Sequence, residues 1–383
     1  MSEQAAPITA TPASAANPAD DARFMALAFT LGRRGLGNTW PNPAVGAVIV
    51  KDGIIVGRGW TQSGGRPHAE VEALRRAKKA AQNTLIGATM YVTLEPCSHQ
   101  GKTPPCTDAI IKAGIARVVS ALEDPNPEVA GQGHERLRAK GITVDIGLGA
   151  DEAQRAHAGH IMRVTKKRPY VMLKLAVSAD GKAALAGRRP APITGAAAWA
   201  RVFQMRATND AIMVGIGTVL SDNPHLTCRL PGMFERSPVR VILDATLKLP
   251  LMTSVVATVG DTQTWVFTSS KSSAIAEEIL QQKGCKVFRV GDVDGRLDLG
   301  EVLKVLADQG ITRLMVEGGP KVAGAIAAEG MVDELALLRG EKTIGAGGLE
   351  PLEGMPLDGI TGQLHARGRE KLGADMLEMY ERA

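Results

Sequence analysis

The sequence predicts an α/β protein with two domains, and three observations support this prediction. First, 383 residues are more than one hydrophobic core usually holds, which suits about two domains. Second, short apolar runs rich in β-branched residues alternate with segments whose apolar residues recur at helical spacing. Third, a basic stretch over 163–168 followed by Pro169 separates two such alternating regions. We therefore expect a disordered tail over 1–20, a first domain over 21–147, a linker helix over 148–168 and a second domain over 169–383.

Composition restricts the partners that this chain can have. Its formal net charge of +5 is spread along the chain without a long basic run, which favours a small anionic ligand over nucleic acid. An aromatic content of 3% leaves few residues for the stacking platforms of single-strand binders. No apolar run approaches the roughly 18 residues of a membrane helix, and the four cysteines lack the pattern of a secreted disulfide framework. We therefore expect a cytoplasmic protein with neither nucleic acid nor membrane as a partner.

The first domain has the pattern of a layered α/β unit. Two β-branched runs over 44–50 and 54–57 flank Lys51-Asp52-Gly53, a good hairpin turn. Helices are predicted over 20–34, 68–80, 106–112 and 134–139, and further strands over 89–94, 116–122 and 142–146. This order of elements predicts a three-layer α/β domain with a mixed sheet.

The same domain carries residue types that bind zinc. His68, Cys97 and Cys106 supply one imidazole and two thiolates, which leave one tetrahedral position open, as in a catalytic zinc site. Glu70 stands beside His68 as a candidate proton carrier. A His-x-Glu followed by Pro-Cys and a second Cys is the signature of zinc-dependent nucleobase deaminases. The alternative is a buried histidine with two ordinary core thiols, and the joint pattern disfavours it.

The second domain also alternates strands and helices. Thr194 is a candidate N-cap of a helix that ends near residue 207. Strands are predicted over 170–177, 211–214, 240–244, 264–268, 286–289, 313–316 and 332–338, and further helices over 272–282, 299–307 and 320–328. The sequence after residue 338 gives no clear assignment.

The sequence of the second domain offers one candidate site for a dinucleotide phosphate. The chain lacks a full G-x-G-x-x-G fingerprint, so a standard Rossmann site is not predicted. Glu317-Gly318-Gly319-Pro320 joins a strand to a helix N-terminus, where free backbone N–H groups can hold a phosphate. The alternative for these glycines is a plain tight turn.

Several motifs resemble the bifunctional riboflavin-biosynthesis deaminase/reductase family. In the first domain these are 42–48 (Asn-Pro-x-Val-Gly-Ala-Val), 67–71 (Pro-His-Ala-Glu-Val) and 94–106 (Leu-Glu-Pro-Cys-Ser-His-x-Gly-x-Thr-Pro-Pro-Cys). Generic deaminases read Pro-Cys-x-x-Cys, whereas eight residues separate Cys97 from Cys106 here, and this insert is close to diagnostic for the family. Further matches are Asp-Pro-Asn-Pro over 124–127, Gly-Ile-Gly-Thr-Val-Leu over 215–220 and Val-Glu-Gly-Gly over 316–319.

The resemblance implies a cytidine-deaminase-like first domain. There His68, Cys97 and Cys106 would hold Zn²⁺, and Glu70 would carry the proton during loss of one amine from 2,5-diamino-6-ribosylamino-4(3H)-pyrimidinone 5′-phosphate. It also implies substrate-holding positions, for which a loop residue capping its own turn or a solvated loop remains the alternative. These positions are Asn42, His99 and Lys102.

For the second domain the resemblance implies a dihydrofolate-reductase-like fold that uses NADPH to reduce the ribosyl group to ribityl. Substrate positions are Arg206, Leu226, Arg229 and Glu317, the two arginines suiting a 5′-phosphate because their forks bind oxygens in pairs. NADPH positions are Ala176, Thr194, Thr218, Asp222 and Gly319. We also expect a homo-oligomer, either a dimer or a tetramer.

One departure from the family leaves an alternative open. The family usually has Ser-x-Trp before Ile-Thr, whereas Arg188-Arg189-Pro190-Ala191-Pro192 precedes Ile193 here. The alternative function is an active deaminase whose second domain is impaired and serves as a scaffold. Other classes are a nucleic-acid base editor, which the low aromatic content and the long insert disfavour, and a structural zinc module, which would not need Glu70.

Overall fold

The structure is a computed structural model that describes residues 18–80, 85–101, 103–186 and 191–382. These residues form two compact units, with the boundary between Lys166 and Lys167. Of the predicted disordered tail, residues 1–17 lie outside the described residues, whereas residues 18–20 instead begin the first helix. Within the described ranges, no helix combines the length and the apolar character that crossing a membrane requires.

The first unit is a five-stranded mixed sheet between two layers of helices. The strand order is β2-β1-β3-β4-β5, in which β1 is antiparallel to both neighbours and β3, β4 and β5 are parallel. The elements are α1 (Pro18–Gly32), β1 (Gly46–Lys51), β2 (Ile54–Trp60), α2 (Ala69–Ala80), β3 (Thr89–Val92), α3 (Cys106–Ala113), β4 (Arg117–Ser120), α4 (Gln132–Arg138), β5 (Thr143–Ile146), α5 (Ala150–Ala156) and α6 (Ala158–Lys166).

Strand alternation explains the layers of this unit. Ala47 and Ile49 of β1 pack into a core shared with α2, α3 and α4, whereas Val48 and Val50 pack into a second core with α1 and α5. The hairpin turn has positive φ at Asp52 (52°) and Gly53 (75°), as a two-residue turn of the primed type requires. The predicted three-layer domain is thus confirmed.

The predicted linker helix over 148–168 is interrupted in the structure. It consists of α5 and α6, which both belong to the first unit. The helices are separated at His157, whose backbone leaves the helical region (φ −102°, ψ 12°). The buried imidazole of His157 lies 3.0 Å from the carbonyl oxygen of Thr93, and this contact ties the interruption to the end of β3.

The second unit is built on a nine-stranded sheet in the order β10-β9-β8-β7-β13-β6-β14-β16-β15. The strands from β10 to β14 in this order are parallel, and β16 and β15 add an antiparallel edge. The elements are β6 (Tyr170–Val177), α7 (Ala196–Ala207), β7 (Ala211–Gly215), α8 (Ile216–Asp222), β8 (Val239–Leu243), α9 (Ser254–Ala257), β9 (Thr264–Ser269), α10 (Ala274–Gln282), β10 (Lys286–Val290), β11 (Asp292–Val293), β12 (Arg296–Leu297), α11 (Leu299–Asp308), β13 (Arg313–Val316), α12 (Pro320–Ala328), β14 (Glu334–Arg339), α13 (Leu357–Thr361), β15 (His365–Leu372) and β16 (Asp375–Glu381).

Helices cover both faces of the central parallel strands, which explains why β6, β7, β8, β9 and β13 are largely apolar and buried. The edge strand β15 is instead polar and exposed along most of its length. Ile212 and Val214 of β7 pack toward Leu280 of α10, whereas Met172 of β6 and Met315 of β13 pack toward α7. Both units are therefore of the α/β class that the sequence predicts.

Two details of the second unit differ from expectation. Thr194 is not the N-cap of α7, because Gly195 occupies that position and makes no side-chain cap. The N–H of Gly195 instead donates to Oδ2 of Asp375 in β16 at 2.7 Å, which delays the start of the helix. The unassigned C-terminal region supplies α13 and the antiparallel pair β15 and β16, whose partners are distant in sequence.

Candidate active sites

The three predicted zinc ligands converge in the first unit. Nδ1 of His68 lies 3.6 Å from Sγ of Cys97 and 3.3 Å from Sγ of Cys106. The three donor atoms all lie within 4.8 Å of one another. One imidazole nitrogen and two sulfurs converging in this way fit a tetrahedral zinc ion with a fourth position for water. The residues present therefore fit the predicted metal.

Two of the three ligands adjoin the N-terminus of a helix, and the third lies in the irregular segment after β3. His68 directly precedes α2, and its carbonyl oxygen accepts a hydrogen bond from the N–H of Glu72. Because His68 stands before the helix, helical spacing does not force its ring away from Glu70. Cys97 follows β3, and Cys106 is the first residue of α3, where helical N–H groups stabilise a thiolate.

The two thiols differ in acidity. The thiol and the backbone N–H of Cys106 donate to the sulfur of Cys97 and, with His68, lower the pKa of Cys97 to about 4. The same interaction with Cys97, together with burial, raises the pKa of the Cys106 thiol. One thiolate therefore forms readily, and a bound cation favours the second, because metal binding displaces the remaining proton.

Glu70 is a buried carboxyl beside these ligands, with 3% of its surface exposed. Burial raises its pKa against the opposing charge of His68, and the negative charge of Cys97 raises it further. A carboxyl whose pKa is raised toward neutrality can both accept and return a proton.

The predicted substrate-holding residues of this unit lie at different positions. Nδ2 of Asn42 donates to the carbonyl oxygen of Gly65 at 2.8 Å and lies 3.5 Å from Nε2 of His68. Asn42 therefore lies beside the metal ligands and bonds the loop that precedes His68. His99 is exposed on the insert between the cysteines, and Lys102 lies outside the described residues.

Glu95 is a site-forming residue that the sequence reasoning missed. Its buried carboxylate accepts backbone hydrogen bonds from Asp124, Gly131, Gly133 and His134, at 2.9, 3.0, 2.7 and 3.4 Å respectively. Glu95 lies two residues before the metal ligand Cys97. Its hydrogen bonds therefore hold the segment 124–134 next to the chain that carries this ligand. The matched motif Asp-Pro-Asn-Pro over 124–127 was the available signal, but its partner could not be read from spacing.

A buried charge cluster lies beside the end of β13 in the second unit. Nε and Nη2 of Arg206 donate to the two oxygens of Glu317 at 2.8 and 3.0 Å, and Nη1 donates to the carbonyl oxygen of Thr227 at 3.0 Å. Nζ of Lys174 lies 3.9 Å from Glu317. Burial opposes ionisation of Glu317, but the charges of Arg206 and Lys174 prevail and lower its pKa.

This cluster changes the expectation for Arg206. Its fork already binds Glu317 in paired geometry, so it is not presented to a phosphate in the way the sequence suggested. Two cations share one carboxylate, which leaves the cluster one positive charge in excess. Lys174 is the member of this cluster that the sequence did not single out as a site residue.

The other two predicted substrate residues differ in exposure. The side chain of Leu226 packs in the core with Val219 and Leu247, and its φ of +56° is uncommon for a bulky residue. Such a strained backbone often accompanies a functional site, and here it precedes Thr227, whose oxygen Arg206 binds. Arg229 is exposed.

Two of the predicted NADPH residues lie together. Gly319 follows β13 and Thr218 lies in α8 after the neighbouring strand β7. A Cβ built on Gly319 would lie 3.5 Å from Oγ1 of Thr218. Gly319 is also the N-cap of α12, with Pro320 at its first turn. The free N–H groups at this helix N-terminus can bind a phosphate of the cofactor, and Gly319 has no side chain that would block its approach.

The remaining predicted NADPH positions lie in three different parts of the second unit. Asp222 ends α8 and is exposed, and its carboxylate accepts a hydrogen bond from Ser221. Ala176 lies on β6, two residues after Lys174 and on the same face. Thr194 lies two residues before α7. Of the segment 188–192, which differs from the family pattern, residues 188–190 lie outside the described residues.

Comparison with known proteins agrees with the division of the chain into two units. Residues 18–122 match the cytidine and deoxycytidylate deaminase zinc-binding region, and residues 169–377 match the RibD C-terminal domain. The riboflavin biosynthesis protein RibD of Aquifex aeolicus is 40% identical over 373 residues, covering 94% of this chain and 98% of that protein. RibD of Escherichia coli is 41% identical over 348 residues, covering 88% and 92% respectively.

Solved structures give the same result. RibD of Acinetobacter baumannii superposes with a TM-score of 0.84 at 34% identity, covering 96% of this chain and 100% of that one. The diaminohydroxyphosphoribosylaminopyrimidine deaminase/5-amino-6-(5-phosphoribosylamino)uracil reductase of Thermotoga maritima gives 0.83 at 36% identity, with 96% and 99% coverage. The chain therefore belongs to the RibD family of bifunctional riboflavin-biosynthesis enzymes, with a zinc-dependent deaminase in its first unit and an NADPH-dependent reductase in its second.

Proposed function

We propose that this chain catalyses two consecutive steps on one phosphorylated pyrimidine. The first is hydrolytic deamination of 2,5-diamino-6-ribosylamino-4(3H)-pyrimidinone 5′-phosphate, and the second is reduction of its ribosyl group to ribityl. The observation that carries the proposal is the convergence of His68, Cys97 and Cys106 beside the buried carboxyl of Glu70. The name of the Thermotoga maritima protein supports the choice of substrate.

In the first step, His68, Cys97 and Cys106 bind zinc through Nδ1 and the two sulfurs. Zinc in such a site lowers the pKa of bound water and so supplies a nucleophile near neutral pH. The carboxylate of Glu70 takes one proton from the attacking water and passes it to the ring nitrogen. It then passes the second proton of the same water to the departing amine, so that ammonia leaves and the ring carbon keeps the oxygen as a carbonyl. Asn42, His99 and Lys102 hold the substrate.

In the second step, Arg206, Leu226, Arg229 and Glu317 contact the substrate. NADPH supplies the hydride, and Gly319 and Thr218 receive its phosphates, with Ala176, Thr194 and Asp222 as further contacts. The paired geometry of Arg206 and Glu317 fixes both side chains before substrate binds, which reduces the entropy lost on binding. The excess positive charge contributed by Lys174 favours an anionic ligand in this site.

We further propose a cytoplasmic homo-oligomer, either a dimer or a tetramer. All four cysteines are free thiols, which suits a reducing compartment. Light scattering of the purified chain at several concentrations measures the assembly directly. A mass of one chain at every concentration would contradict this part of the proposal.

The proposed reactions are tested with purified protein and the diaminopyrimidine ribosyl phosphate, with and without NADPH, by ammonia assay and product masses. We expect ammonia release without NADPH and a reduced ribityl product when NADPH is added. Ammonia release without any NADPH consumption would overturn the second step and leave a deaminase with a scaffold domain. No ammonia from zinc-loaded protein would overturn the first.

A further inference from the structure

Arg66 lies two residues before the predicted metal ligand His68, and its side chain reaches the insert that joins the other two ligands. Its Nη1 donates a hydrogen bond to Oγ1 of Thr103 at 2.5 Å, in the insert between Cys97 and Cys106. A Cβ built on Gly101 of the same insert would lie 3.6 Å from Nη2 of Arg66 and 3.9 Å from the His99 ring. The guanidinium therefore lies on the eight-residue insert beside a predicted substrate-holding residue.

Within the described part of the first unit, no neighbouring carboxylate balances the charge of Arg66. Among residues of the first unit that the structure describes, Arg117 pairs with Asp21 and Arg136 with Asp108, but no carboxylate forms an ion pair with Arg66. Thr103 is neutral and accepts one hydrogen bond, whereas a guanidinium has five N–H donors. A half-buried cation with unused donors beside a substrate site is suited to bind an anionic oxygen group.

We propose that Arg66 binds the 5′-phosphate of the deaminase substrate. This inference rests on the proposed function, because it identifies which residue holds the charged end of that substrate. The phosphate lies at the far end of the ribosyl group from the amine that is lost. A residue that binds the phosphate can therefore lie away from Glu70 and the metal ligands, which act at the pyrimidine ring. Arg66 is thus a specificity-determining residue that favours the phosphorylated substrate over its nucleoside.

A purely structural role for Arg66 would be to hold the insert through Thr103. The two roles predict different results with a substrate that lacks the phosphate. A structural clamp affects both substrates equally, because the insert also carries Cys106 at its end and His99 within it. A phosphate contact affects the phosphorylated substrate alone.

The test compares Arg66→Gln with wild type on the phosphorylated substrate and on the same compound after phosphatase treatment, with zinc content measured in parallel. Arg66→Lys keeps the charge without the fork, and Thr103→Val removes the hydrogen bond while keeping Arg66. Arg58→Gln, at an exposed arginine of β2, is the matched control for removal of a charge from this unit.

For Arg66→Gln we expect kcat/KM on the phosphorylated substrate to fall roughly 10- to 100-fold, mainly through KM, with no change on the dephosphorylated one. Arg66→Lys should lose less, and Thr103→Val and Arg58→Gln should retain the preference for phosphate. Equal losses on both substrates, or an unchanged preference in Arg66→Gln, would overturn the proposal. Failure of the proposed function is distinct, because wild type would then release no ammonia from either substrate.

Discussion

The two candidate sites differ in how their charges are balanced. In the first unit, an imidazole and two thiols face one another, and the thiols share a proton that a cation displaces. In the second unit, Arg206 and Glu317 already pair with each other. The charges of the first site are thus balanced only when a metal binds, whereas Arg206 and Glu317 of the second site balance each other without a ligand. Loss of a proton carrier should therefore affect chemistry in the first, and loss of a charge should affect stability in the second.

The largest expected effect is on the chemistry of the first unit. Glu70→Gln should slow ammonia release roughly 10²–10⁴-fold by loss of general acid–base catalysis, while zinc content stays at the wild-type level. NADPH oxidation with the deaminated substrate should be unchanged. Glu135→Gln, at an exposed position of α4, is the matched control. Wild-type turnover in Glu70→Gln would contradict the assigned role of this carboxyl.

The corresponding change in the second unit should act on stability. Glu317→Gln removes the shared counter-charge of two buried cations, Arg206 and Lys174, and should cost about 3–5 kcal/mol. Hydrogen exchange at the amides of β13 measures this cost within the unit itself. Glu350→Gln removes the more exposed partner of Lys182 and should cost less than about 1 kcal/mol. If both variants lost the same amount of stability, burial of Glu317 would not be the reason for its larger expected cost.

Mild acid should separate the two units by stability. Burial lowers the pKa of His157 to about 4, against about 6.5 in an unfolded chain. Because the unfolded state binds the proton more tightly, this stabilisation is complete above pH 6.5 and is lost as pH falls toward 4. The full loss is about 3 kcal/mol. Burial also lowers the pKa of His134, which acts in the same direction in the same unit.

The measurement is hydrogen exchange in both units at pH 7 and pH 5, in wild type and in His157→Gln. The variant should lose part of the acid sensitivity of the first unit, whereas His365→Gln, at an exposed position of β15, should leave the profile of the second unit unchanged. Identical pH dependence in wild type and His157→Gln would exclude His157 as the cause.

The smallest expected effect concerns the cofactor. Gly319→Ala places a Cβ at an ordinary 3.5 Å from Thr218, so the fold should tolerate it. The added methyl group would occupy space at the N-terminus of α12, and KM for NADPH should rise about tenfold. Gly260→Ala, where the described structure places no atom within 4 Å of the new Cβ, is the control. An unchanged KM for NADPH would place the cofactor elsewhere.

The same contrast explains what could be predicted from sequence. Short motifs predict two features correctly. These are the hairpin around Asp52-Gly53 and the grouping of His68, Cys97 and Cys106. Glu317 and Arg206 are 111 residues apart, and their mutual pairing depends on the placement of β13 beside α7. The phosphate role first expected for Arg206 assumed a free fork, which no local pattern could correct.

Tertiary contacts also override local signals elsewhere. Asp375 bonds the N–H of Gly195 and so displaces the helix start predicted at Thr194. Thr93 contacts His157 between α5 and α6, where the sequence predicts one linker helix over 148–168. Glu95 gathers backbone N–H groups from positions up to 39 residues away. Each case involves a buried polar group whose partner lies far along the chain.

The central claim is that this chain carries two independent catalytic sites. Mixing purified Glu70→Gln with purified Glu317→Gln tests it most directly. The first variant retains the reductase, whereas the second retains the deaminase but loses the proposed substrate contact of Glu317 and part of the stability of the second unit. With the diaminopyrimidine ribosyl phosphate and NADPH, we expect the mixture to form the deaminated ribityl product that neither variant forms alone at a comparable rate. Absence of that product from the mixture, while each variant still performs its remaining step, would contradict the claim.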